Sequence, residues 1–133
     1  MKVLICLLVC FAFSMAHAAE TTNINPTGIY SDIYFNKEGG DLLGTEIFLL
    51  HSGDGYYVLF QSAQGGLSIP VLVSASLIKN KLSFELPKNR NGYGGLFSGI
   101  IYHNRIEGRL SNGQLSPSGQ EIFILKKGKS YWQ

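Results

Sequence analysis

The stretch "HSGDG", residues 51–55, sets a histidine, a serine and an aspartate close together. A hydrolytic triad uses these types, with the base in hydrogen-bond reach of the nucleophile and the acid on its far nitrogen. Neighbours in an extended chain point to opposite faces, and Gly53-Asp54-Gly55 is a hairpin signal. The stretch therefore reads as a turn. "KKGKS", residues 126–130, resembles the end of a phosphate loop, but Phe123 stands where the first glycine must be. His51 and His103, with Asp54 nearby, form the outside candidate for a metal site, and solvated turn histidines are the simpler reading. Glu85 and Glu107 alternate with apolar neighbours, as outward strand residues do. No cofactor is expected.

The first eighteen residues, "MKVLICLLVCFAFSMAHA", have Lys2, a short apolar core and Ala16-His17-Ala18 at the exit. These are the parts of a secretory signal, and the core is too short to span a bilayer. Cys10 follows Leu7-Leu8-Val9 rather than the small residue that lipid attachment needs. Cleavage between Ala18 and Ala19 is expected, leaving residues 19–133 as one domain in the periplasm or secreted. N-terminal sequencing that found Met1 on the exported protein would overturn this. Both cysteines, Cys6 and Cys10, leave with the leader, so no disulfide staples the domain. Without Lys2 the basic side chains outnumber the acidic by one. That balance excludes a nucleic-acid footprint, which needs clustered cations on one face.

Beyond the leader, glycines and prolines punctuate short β-rich runs, the pattern of an all-β fold. Eight strands are expected at 28–36, 43–52, 55–63, 68–79, 81–87, 95–103, 105–111 and 120–126. "LIKNKLSFEL" (77–86) and "IYHNRIEGRL" (101–110) align without gaps as two hairpins, with Asn80 and Asn104 expected to take the positive φ of the turn. Turns at 53–54, 79–80 and 103–104 are tight. The connections 37–42, 64–67, 88–94 and 112–119 are longer. In a meander the tight turns close one end and the longer loops surround the other.

Eight antiparallel strands in this order predict a closed up-and-down barrel, which removes sheet edges. A two-sheet β-sandwich is the alternative. Strand order and loop asymmetry over roughly residues 27–126 resemble the calycin group of lipocalin- and avidin-like barrels. The Gly-x-Trp expected of a lipocalin is absent, since Gly28-Ile29-Tyr30 stands there.

Gly-rich loops on a rigid barrel are carriers of binding. Lys37, Asp41, Lys88, Arg90 and Tyr93 at the long-loop end are the candidate ligand or partner residues. Tyr131 and Trp132 are candidates to plug the opposite end, where a fully buried Trp132 would contribute on the order of 3 kcal/mol. Ser98, Gly99 and Gly108 hint at interior room near the mouth. "EIFLL" (46–50) and "EIFIL" (121–125) are apolar on both faces, and with Tyr30 and Tyr34 they predict an outer apolar patch. The function expected is a small exported non-enzymatic binding protein that takes a small molecule or a protein at the long-loop end. The alternative is an interaction, inhibitor or envelope protein using the apolar strand face, with self-association as one outcome. An enzyme is the weakest reading.

Overall fold

The computed structural model describes residues 24–88, 94–111 and 120–133. The expected leader and its expected cleavage point lie outside them. The strands are β1 (Gly28–Ser31), β2 (Tyr34–Asn36), β3 (Asp41–Ser52), β4 (Gly55–Gln64), β5 (Val71–Ile78), β6 (Lys81–Leu86), β7 (Gly95–Ile101), β8 (Arg105–Ser111) and β9 (Gln120–Gly128), with no helix among the described residues. From β2 to β9 each strand pairs antiparallel with the next, and β1 joins the ends by pairing with both β3 and β9. The result is a closed eight-stranded up-and-down barrel with β2 as a short extra strand, not a sandwich.

Alternation builds the core. Ile47 and Leu49 on β3, Val58 and Phe60 on β4, Leu82 and Phe84 on β6, and Ile106 and Leu110 on β8 are all buried. They lie at every second position, because successive strand residues face opposite sides. Gly53-Asp54 and Lys79-Asn80 turn tightly, as their sequences predict. The positive φ falls on Lys79 (56°), however, and neither Asn80 nor Asn104 is among the positive-φ residues. The expected loop at 37–42 is also shorter, because β3 begins at Asp41. Residues 37–40 close a four-residue turn, with Gly40 N–H donating to Asn36 O at 2.8 Å.

The expected room at Gly99 and Gly108 is occupied. These two glycines face each other across β7 and β8, and the ring of Phe97 lies over them. A Cβ on Gly108 would sit 2.4 Å from Phe97 Cζ. Phe97 stacks on Phe84 at 4.6 Å and leans on Phe123 at 5.8 Å, and Phe84 in turn meets Phe60 at 6.3 Å. Phe60, Phe84, Phe97 and Phe123 thus form one connected row of rings inside the barrel. Ser98 points outward and is exposed.

The first strand is broken. Strict alternation from Tyr30 would place Asp32 inside, yet Ile33 is buried and Asp32 is exposed. Gly44 (φ 116°) permits the break: a Cβ there would meet Asp32 O at 2.6 Å and Ile33 Cα at 2.8 Å. Asp32 then serves as a substitute for the ladder. Its N–H donates to Thr45 O at 3.0 Å, and its Oδ1 accepts from Thr45 N–H at 2.6 Å. Beyond the break the first strand no longer follows β9. On β9, β1 reaches only Lys126, Lys127 and Gly128, and β2 pairs only with β3. A seam therefore opens towards the long-loop end, where β9 from Gln120 to Leu125 pairs with β8 alone among the described residues.

Candidate functional site

At the long-loop end, Asp41 opens β3 on the same parity as Thr45 and Ile47, which are buried. Its Oδ1 is buried and has no hydrogen-bond partner among the described residues. Lys37 is exposed on the β2–β3 turn. Lys88 is exposed after β6, against Gly94, where a Cβ would lie 2.7 Å from Lys88 Cγ. Lys37 and Asp41 share one hairpin, while Lys88 belongs to another part of the rim. No hydrogen bond or ion pair joins any two of the three among the described residues. Arg90 and Tyr93 lie outside the described residues.

Next to this rim the seam forms a notch of about 220 Å³ lined by Asp32, Thr45, Ser62, Gln64 and Phe123 among others. Thr45 and Ser62 are its buried polar floor. Ser62 is held by the β4–β5 connection: its N–H donates to Ser68 Oγ at 3.0 Å, and Ser68 N–H donates to Ser62 O at 2.8 Å. Partial burial raises the Asp32 pKa above the usual carboxylate range, and the hydrogen bonds from backbone N–H groups only partly offset this. The sequence reading missed Asp32. Its signal was the pairing of Asp32-Ile33 with Gly44 across the first hairpin, which is legible only once the register is known.

Asp32→Asn tests this arrangement. Asparagine keeps the acceptor for Thr45 N–H and removes the charge that burial disfavours. A raised folded pKa means that the charged form is penalised in the folded state, at pH above the carboxyl's range. The variant should therefore unfold at an equal or higher temperature at neutral pH, and this advantage should vanish as pH falls through that range. Urea or thermal melts across pH measure it.

The tight-turn end carries the histidines. His51 packs edge-on to Tyr56 at 4.8 Å, and His103 lies on the separate β7–β8 turn. Among the described residues no group of three His, Cys, Asp or Glu side chains is placed to hold a metal. Asp54 accepts a hydrogen bond from Tyr57 OH at 2.9 Å. That bond holds the Asp54 carboxyl below its usual range and pushes the Tyr57 phenol up.

Tyr131 and Trp132 do not plug the tight-turn end. Residues 129–133 cross the outside of β1 instead. Ser130 Oγ donates to Glu46 Oε1 at 2.8 Å, and Tyr131 N–H donates to Glu46 Oε2 at 3.3 Å. Glu46 faces outward on β3, so these bonds draw the segment onto the wall. Trp132 stays 54% exposed and Tyr131 42% exposed. Trp132→Ala should accordingly cost less than about 1 kcal/mol in a urea melt, well under the value for a buried ring.

Around this segment the outward side chains form a row. Ile29 lies opposite Phe48, Phe48 opposite Leu59, and Leu59 opposite Leu72, across β1, β3, β4 and β5. Trp132, Phe48, Leu59 and Pro70 line one cleft on it. Leu72 is 61% and Ile69 82% exposed. The predicted outer patch is thus present on β1 and β3, but its further members come from β4 and β5. Tyr30 is not part of it. That side chain points inward, fully buried, with its OH donating to Pro26 O at 2.6 Å, and burial pushes its pKa up to about 12. Tyr34 on β2 is exposed, as are Ile122 and Ile124 on β9.

Compared with protein-family models, with curated proteins and with solved structures, the chain finds no match.

Proposed function

We propose that this is an exported, non-enzymatic binding protein of calycin-like architecture, periplasmic or secreted, that engages its partner on the outer wall rather than in a central cavity. The row of rings inside the barrel, together with the apolar side chains left exposed on the outer wall, carries the reading. A calycin that stores a ligand needs room inside its barrel, and here Phe60, Phe84, Phe97 and Phe123 take that room. Large apolar side chains left in water on one wall mark a contact surface. The reading as a non-enzyme is supported by the absence of cysteine beyond the expected leader and by the placement of His51 near the end of β3 and His103 on the β7–β8 turn.

A second reading keeps the long-loop end. It is favoured by Asp41 Oδ1, a buried acceptor without a donor among the described residues, beside the notch at Asp32. Such an atom costs about 1–3 kcal/mol, and a ligand with an N–H or O–H group would relieve it.

One experiment separates the two. The protein is recovered from its own host and examined by native mass spectrometry, together with the Leu59→Ser/Leu72→Ser and Asp41→Asn variants. Loss of the bound species in the first variant alone supports the outer wall. Loss in Asp41→Asn alone overturns it in favour of the rim.

A further inference from the structure

We propose that the outer wall formed by residues 129–133 and the row from Ile29 to Leu72 docks on an anionic lipid bilayer. The proposal rests on the outer-wall reading and names its partner. Among the described residues no helix is long and apolar enough to cross a membrane, and the contact proposed is a peripheral one on the outer wall.

Three observations point to lipid. The first is the pairing of aromatics. Tyr131 and Trp132 stand edge to face at 5.0 Å, about half in water. Each has an apolar body and a polar tip, the side-chain type enriched at the level of lipid headgroups. The second is protrusion. Ile69 and Leu72 are among the most exposed large apolar side chains of the described residues. The row Ile29–Phe48–Leu59–Leu72 spans four strands of the curved wall, roughly 14 Å along its surface at the usual strand spacing.

The third observation is charge. Lys126 and Lys129 are both exposed. Lys126 lies opposite Ser31 on β1, and Lys129 follows Gly128, which lies opposite Ile29. Both cations therefore stand one strand away from the row. Glu46, a carboxylate on this wall, accepts from Ser130 on one oxygen and from Tyr131 on the other, and neither lysine is its partner in those bonds. Lysine is depleted at protein–protein interfaces. Lysine beside Trp, Tyr and aliphatic side chains is instead the composition of a surface that binds the bilayer interface, where buried apolar area and attraction to anionic headgroups add.

The test uses the purified protein with vesicles of phosphatidylcholine alone and with about one quarter phosphatidylglycerol. Trp132 is the single tryptophan of the chain and reports directly. Binding should shift its emission to the blue and carry the protein down with the anionic vesicles, and both effects should weaken with salt. Lys126→Gln/Lys129→Gln should weaken partition about 30-fold, at roughly a fivefold loss per cation. Ile69→Ser/Leu72→Ser should weaken it while leaving the fold intact by circular dichroism. Failure to bind anionic vesicles at low salt overturns the proposal, as does binding unmoved by both double variants. A Trp132 shift on adding detergent-free envelope proteins, with none on adding vesicles, overturns the lipid and leaves the outer wall standing. No shift with either overturns both.

Discussion

Phe97→Ala should lower the stability of the protein by about 3–5 kcal/mol, the range for removing a buried phenylalanine, with the result near the upper end. The cost of such a change depends on how far the surroundings can collapse into the space left behind. Phe97 is fully buried, and it covers Gly99 and Gly108, which have no side chains to move into the gap. Its other neighbours, Phe84 and Phe123, are themselves held by the barrel wall. The complementary change is Gly108→Ala. It adds one methyl 2.4 Å from Phe97 Cζ and 3.0 Å from its Cε atoms, so the ring must leave its stack. Overpacking of this kind costs about 1–3 kcal/mol. Because the two changes share one space, they should not add. Phe97→Leu should recover part of the stability that Gly108→Ala loses, whereas alone it destabilises. Urea melts of the two single variants and the double variant measure this coupling, and strict additivity would show that Phe97 does not rest on the glycine pair.

Gly44→Ala should be the most damaging single methyl added to the described chain outside the barrel interior, at about 2–5 kcal/mol. Two costs combine. A non-glycine residue held in the left-handed half of φ space is strained by about 1–3 kcal/mol, and Gly44 has φ 116°. The added Cβ would also fall 2.6 Å from Asp32 O and 2.8 Å from Ile33 Cα. These are backbone atoms and cannot swing aside as a side chain would. Relief requires Asp32 to leave Thr45, and this gives up both hydrogen bonds that carry the first strand past its break. Thermal unfolding measures the loss. Hydrogen exchange at Thr45 N–H should rise with it, and a variant as stable as wild type would mean that the break can be rebuilt elsewhere.

The fold class, the eight-stranded barrel and much of the strand extent follow from the sequence alone, because their causes are local. Period-two alternation marks the strands and their buried faces, and Gly53-Asp54 and Lys79-Asn80 act within a few residues. Outward positions such as Glu85 and Glu107 are legible in the same way. The structure was needed wherever two distant segments meet. Residues 28–36 read as one strand, but Gly44 across the hairpin lets Asp32-Ile33 bulge, and this opens the seam at the long-loop end. Gly99 and Gly108 read as space, but Phe97 claims it, since only register sets the two glycines opposite each other beneath a ring. The segment from Ser130 to Gln133 reads as a plug, yet Glu46 draws it onto the outer wall through two hydrogen bonds that no local pattern encodes. Alternation tells which side chains point outward. Only strand register tells which of them stand side by side, and so Ile29, Phe48, Leu59 and Leu72 become one surface in the closed barrel.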